Sequence, residues 1–121
     1  MAGDEAPEDW STPVGIERVI RDTAARLEKS AHIMYDLQRA AQEADLAFDK
    51  AFALAANEAT GSQEQRKRDA LIATEALRDA RDIAEAQYQR GKALARALEH
   101  KLEAARSAGA SVRGAYQNVG R

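Results

Sequence analysis

Apolar residues recur every three or four positions over most of this chain, the spacing that lays one stripe along an α-helix. In the first half the stripe runs Ile16, Ile20, Ala24, Leu27, Ala31, Met34, Leu37, Ala41, Ala44, Phe48, Ala51, Ala55. In the second half it runs Ala70, Ala73, Leu77, Ala80, Ala84, Tyr88, Gly91, Ala95, Leu98, Leu102, Ala105, Gly109, Val112, Tyr116. Steps of three and four alternate through most of both stripes. That is a near-heptad seam, the pattern of helices packed at a shallow angle. Alternation fails at 16–20–24, at 31–34–37 and at 80–84–88. These departures predict local overwinding near Met34 and slight underwinding near Ala84.

Start and stop signals divide the pattern into two helices. Thr12 (or Ser11) can cap free backbone N–H groups, and Pro13 suits the first helical position, where its missing donor does no harm. Helix 1 is predicted over residues 13–59. Gly61 then tolerates the left-handed conformation that ends helices. Ser62-Gln63-Glu64-Gln65 resembles a capping box, with Ser62 as N-cap and Gln65 reaching back. A stop and a start within two residues predict a tight turn at 60–62. Helix 2 is expected over 63–108 or further, with Gly109, Gly114 and Gly120 predicting fraying beyond 108. Residues 1–11, small and acidic with Pro7, read as a disordered leader, and residues 118–121 as a flexible tail. The fold class expected over 12–117 is all-α: an antiparallel, coiled-coil-like hairpin of two long helices that oligomerises into a helical bundle.

The content of the seam adds an asymmetry. Ala31, Ala41, Ala44, Ala51 and Ala55 are expected opposite Ala73, Ala80, Ala84 and Gly91, which lets the helix axes approach closely. Larger aliphatic residues gather at the open end: Ile16, Val19, Ile20 and Leu27, with Leu94, Leu98 and Leu102. These seven are the predicted oligomer interface. With 28 alanines and six aromatic residues in 121, the chain has little side-chain area to bury. A lone hairpin of this kind is marginal, and packing on further copies or a partner is the remedy.

Charge points to where a partner would be drawn. Net charge is −2, but residues 1–10 carry −4, residues 11–89 carry −3 and residues 90–121 carry +5. Arg90, Lys92, Arg96, Lys101, Arg106 and Arg113 form the basic stretch, bracketed by Tyr88 and Tyr116, which could stack on bases. They are the candidate nucleic-acid-binding residues. Arg66-Lys67-Arg68 makes a second basic cluster, blunted by Glu64 and Asp69. The plain alternative is a solvated helix face on which Glu99 and Glu103 neutralise their neighbours.

Catalytic and metal chemistry find no support in the residues. The chain has no cysteine, which fits a reducing compartment and excludes disulfides and thiolate metal sites. Only His32 and His100 offer imidazole. Folding about Gly61 sets them opposite Arg90 and Asp22, roughly 15 Å apart along the hairpin. Lys29 and Ala97 stand where a Glu-x-x-His ligand motif needs glutamate. Many carboxylates lie one turn from a base, as in Glu17–Arg21, Asp22–Arg26, Glu64–Arg68 and Glu75–Arg78, the usual dress of a solvated face. The turn lacks the Lys of a P-loop. No cofactor, metal or catalytic residue is expected, and the chain is read as non-enzymatic. The N-terminus lacks the apolar run of a secretory signal, and no stretch reaches the roughly 18 apolar residues of a membrane span. The expectation is a soluble, cytoplasmic protein without membrane contact.

The segment from Gly61 to Arg113 resembles the short helical proteins of phage replication and recombination regions. The residues that carry the resemblance are Gly61-Ser62, Arg66, Ala70, Thr74, Arg78, Asp82-Ile83-Ala84-Glu85, Lys92, Arg96-Ala97-Leu98, Leu102, Ser107 and Ser111-Val112-Arg113. Phe48-Asp49-Lys50-Ala51-Phe52 extends the similar layout into the first half, so that roughly 27–113 are covered. The resemblance implies an accessory of phage DNA metabolism, located in the cytoplasm of the infected bacterium. The defined activity nearest to it is that of UvsY-like recombination mediators, helical oligomers that bind single-stranded DNA and help load a recombinase. The competing expectation is a protein–protein interaction module that docks on a host or phage protein through the apolar open end. A secreted hairpin of the Trp-x-Gly type fits less well, because Trp10 precedes helix 1 and the turn has no such motif.

Overall fold

The computed structural model describes residues 7–119, and residues 1–6 of the expected leader and 120–121 of the expected tail lie outside them. Three helices follow one another: α1 (Pro13–Glu58), α2 (Gln63–Ala73) and α3 (Glu75–Val119). Among the described residues there is no strand. Thr12 is the N-cap of α1. Its carbonyl accepts from Ile16 N–H at 3.0 Å and its Oγ1 accepts from Gly15 N–H at 3.1 Å. The turn forms where it was expected. Gly61 has φ +106°, and Ser62 Oγ accepts from Gln65 N–H at 3.2 Å. Arg66 Nε–H adds a bond to the Gly61 carbonyl at 3.1 Å.

The second predicted helix is interrupted once, at Thr74. Its backbone angles, φ −111° and ψ 17°, leave the helical range for one residue. The side chain is buried, and its hydroxyl donates to the Ala70 carbonyl at 2.7 Å, the same oxygen that accepts Thr74 N–H at 3.1 Å. A hydroxyl bonded back to the preceding turn competes with the helical ladder and bends it. The expected two long helices are therefore one long helix, one short one and a second long one.

The chain divides into two compact units, one formed by the residues up to Ala31 with those from Ala93, the other by His32–Lys92. In each, α1 lies against α3. The unit of the chain ends buries Ile16, Val19, Thr23, Ala105 and Gly109, with Leu27, Ser30, Leu98 and Leu102 half-buried. The unit of the turn buries Ala41, Phe48, Ala70 and Thr74, with Met34, Leu37, Ala44, Ala51, Ala55, Ala84, Tyr88 and Gly91 half-buried.

These positions correct the seam. Ala24, Ala31, Ala73 and Ala80 are exposed, and Thr23, Ser30, Thr74 and Arg81 stand in their places. With those residues the steps alternate without a break, which removes the ground for overwinding at Met34 and underwinding at Ala84. Ser30, Thr74 and Arg81 are tolerated because each finds a partner. Ser30 Oγ–H donates to the Leu27 carbonyl at 2.7 Å. Arg81 lays its guanidinium over Phe48, 4.3 Å from the ring centroid, and reaches Asp82 at 3.3 Å. The neighbouring Phe52 ring completes this cluster, 5.9 Å from Phe48.

The pairing register also differs from folding about Gly61, which would set Ile16 opposite Arg106 and Met34 opposite Tyr88. Instead a Cβ on Gly109 would touch Ile16 Cγ2 at 3.3 Å, and one on Gly91 would meet Met34 Sδ at 2.8 Å and Leu37 Cδ1 at 2.7 Å. Gly61 to Asp69 are all exposed. The returning chain thus runs on before it packs, which shifts both contacts by about one turn. The expected fraying beyond residue 108 does not occur, for α3 continues to Val119. Gly109 costs helix propensity but is buried against Ile16 and Ile20, and tertiary packing overrides propensity.

Candidate nucleic-acid interface

The six predicted cations all stand on α3, and they do not share one face. Lys92, Arg106 and Arg113 fall at seven-residue intervals with Arg78, Glu85 and Glu99, so two carboxylates are interspersed among these bases. Lys101 belongs to the opposite flank of the seam, in step with Leu94 and Ala108. Arg90, Lys92, Arg96, Arg106 and Arg113 are exposed, whereas Lys101 is half-buried. In the unit of the turn, Lys92 Nζ lies 5.3 Å from the centroid of the Tyr88 ring, which is itself partly inside the seam. Tyr116 is exposed.

Lys101 is engaged by the segment before α1. Its ammonium is hydrogen-bonded and ion-paired with Glu8. Trp10 Nε1–H donates to the other Glu8 oxygen at 3.0 Å. Asp9 organises the same segment: one carboxylate oxygen accepts from Ser11 N–H at 2.9 Å and Ser11 Oγ–H at 2.6 Å, the other from Thr12 Oγ1–H at 2.9 Å. The backbone is pressed onto α1 at Gly15, where a Cβ would stand 2.2 Å from the Asp9 carbonyl oxygen. Residues 7–11, expected as disordered leader, thus have a defined place. The Lys101 hydrogen bond, then that from Trp10, holds the Glu8 carboxyl below its ordinary value, and the nearby charges of Lys101 and Arg26 act in the same direction. Asp9 is lowered as well, by the Ser11 hydroxyl first, then the Ser11 N–H and the Thr12 hydroxyl.

Beside this segment lies a groove of about 670 Å³, lined by Glu8, Asp9, Asp22 and three cations: Arg18 and Arg26 from α1 and Lys101 from α3. The two α1 arginines were not among the predicted contacts. Pairing about the turn was enough to find them, since it sets Lys101 level with the stretch that contains Arg18 and Arg26. A second groove, of about 360 Å³, lies in the unit of the turn between Gln38, Asp45, Arg81, Asp82, Glu85 and Tyr88.

The predicted oligomer interface is split. Ile16 and Val19 are closed inside their unit at 1% and 4% exposure and offer no surface to another copy. Ile20, Leu27, Leu98 and Leu102 are half-buried in the same seam, and Leu94 alone of the seven is exposed. The larger supply of exposed apolar side chains lies in the unit of the turn: Ile33, Leu46, Leu54, Ile72, Leu77 and Ile83. His32 and His100 are exposed. Among the described residues no three His, Asp or Glu side chains are grouped to hold a metal ion, and no helix is long and apolar enough to cross a membrane. Among the described residues the ion pairs are Arg39–Glu43, Arg81–Asp82 and Lys101–Glu8, and the four pairs noted for their one-turn spacing are not among them. Exposed pairs gain little from closing, so spacing alone does not hold them.

No protein-family model matches the chain, and no curated protein or solved structure shows significant similarity to it.

Proposed function

We propose that this chain is a non-enzymatic accessory of phage DNA metabolism, a self-associating helical protein of recombination-mediator type that contacts single-stranded DNA. The observation that carries the reading is the gathering of cations from both helices in the unit of the chain ends. Arg18, Arg26 and Lys101 line one groove, while Arg96, Arg106 and Arg113 stand exposed on α3. Backbone phosphates are held by such groups without regard to sequence, and a mediator must bind without sequence preference. Fluorescence anisotropy with a labelled oligothymidylate tests this reading. Binding is expected at low salt and should weaken steeply as salt rises, because each phosphate contact releases counterions. No binding at low salt overturns the DNA part.

A second reading, a protein–protein interaction module, is favoured by Ile33, Leu54, Ile72 and Ile83, each more than half exposed in the unit of the turn. It moves the docking surface away from the open end, where Ile16 and Val19 are internal. A pull-down from host lysate that returned only the protein itself would count against it.

A further inference from the structure

We infer that the Pro7–Thr12 segment is a built-in competitor for the anion groove of Arg18, Arg26 and Lys101: Glu8 occupies in cis the place a DNA phosphate takes in trans. This inference rests on the DNA-binding reading and adds its regulation.

Three observations make the segment a docked strap rather than a loose end. Lys101 and Trp10 both bond the Glu8 carboxylate, one oxygen each. Asp9 shapes the segment itself, turning it toward α1 through three hydrogen bonds from Ser11 and Thr12. The third observation is Gly15. It stands in the first turn of α1, where alanine would favour the helix by about 1 kcal/mol. Glycine there has a local cause: the Asp9 carbonyl oxygen and Cβ lie 2.2 and 2.8 Å from where a side chain would begin. Any Cβ must push the strap's backbone away.

The chemistry of the groove selects its occupant. Three cations face Asp22 and the two strap carboxylates Glu8 and Asp9. A carboxylate and a phosphodiester are both single-charge oxygen acceptors, so either can take the Lys101 ammonium. The strap is tethered and therefore present at high effective concentration, yet its contact is an exposed ion pair and correspondingly weak. A polyanion that reaches Arg18, Arg26 and Lys101 together displaces it. Short or isolated anions do not. The strap sets a threshold for binding.

The test compares the 121-residue chain with its Glu8→Gln, Gly15→Ala and Glu28→Gln variants by anisotropy on labelled oligothymidylate at roughly 50 mM salt. Glu8→Gln removes the competing carboxylate, while Gly15→Ala dislodges the strap with every charge intact. Glu28→Gln removes one exposed carboxylate of α1 outside the groove, as a control for net charge. Glu8→Gln and Gly15→Ala should each bind about 2- to 5-fold tighter than wild type, the range an exposed ion pair supports. Glu28→Gln should change affinity by less than about 1.5-fold, since a distant exposed charge is screened. Trp10, the one tryptophan, reports the strap without DNA. Its emission should shift to the red in both strap variants and in wild type saturated with DNA.

If wild type binds and either strap variant fails to exceed Glu28→Gln, the competitor is overturned while the DNA reading stands. If no form binds, both fall.

Discussion

Gly61 carries φ +106°, a backbone angle at which a Cβ clashes with its own peptide, and Gln65 Oε1 already stands 2.7 Å from where that Cβ would be. Gly61→Ala should therefore cost about 1–2 kcal/mol, read as a lower urea midpoint at unchanged slope. An unaltered midpoint would mean that the turn relaxes into another conformation. Phe48 is the other decisive single residue. It is the largest buried apolar side chain in the unit of the turn, held by Arg81 on its face and Phe52 beside it. Phe48→Ala should destabilise by about 3–4 kcal/mol, enough to unfold much of a marginal chain at 37 °C by circular dichroism. Arg81→Lys is not a conservative change here, because the planar guanidinium stacks on the ring and a lysine ammonium does not.

At the scale of elements, α2 and α3 are separated by Thr74 alone, whose hydroxyl bonds back to the Ala70 carbonyl. Thr74→Val keeps the shape and removes the donor, and the Ala70 carbonyl retains Thr74 N–H. The two helices should then join, seen as slower amide exchange over residues 74–78. Unchanged exchange would place the cause of the break in packing instead. The strap before α1 is the other element with a distinct handle. Its Glu8 faces Lys101 and Arg26, with Asp9 as the neighbouring acid. A carboxylate held below its free value favours the docked state wherever it is ionised. Docking should thus be favoured at neutral pH and weaken as pH falls below the ordinary glutamate range toward the lowered value of the docked state. The emission of Trp10 follows that transition, and Glu8→Gln should reduce it to the part that Asp9, also held below its ordinary value, contributes.

For the molecule as a whole, the balance of surface is the governing fact. Among the described residues, the buried apolar ones are Ile16, Val19 and Phe48 with three alanines. Folding that buries so little should be coupled to association. The thermal midpoint is accordingly expected to rise with protein concentration, with sedimentation equilibrium giving a species larger than the monomer. A midpoint independent of concentration over a hundredfold range would leave the chain as a monomer.

Much of what depends on neighbours in the chain was legible before folding, though the break at Thr74 and the Asp9 turn, both made by local hydrogen bonds, were not. The Thr12 cap, the Gly61 turn and the Ser62 N-cap follow from φ preferences and local hydrogen bonds, and each stands where it was expected; helical spacing gave the three-and-four period of the seam but not all of its positions. What fills the seam did not follow. Thr23, Ser30, Thr74 and Arg81 displace alanines one residue away, because burial is decided by the partner helix; Ser30, Thr74 and Arg81 enter with their donors on an acceptor or a ring. The register, the persistence of α3 past Gly109 and the strap seated on Gly15 belong to tertiary structure for the same reason. They join residues far apart in sequence, and no local propensity measures that contact.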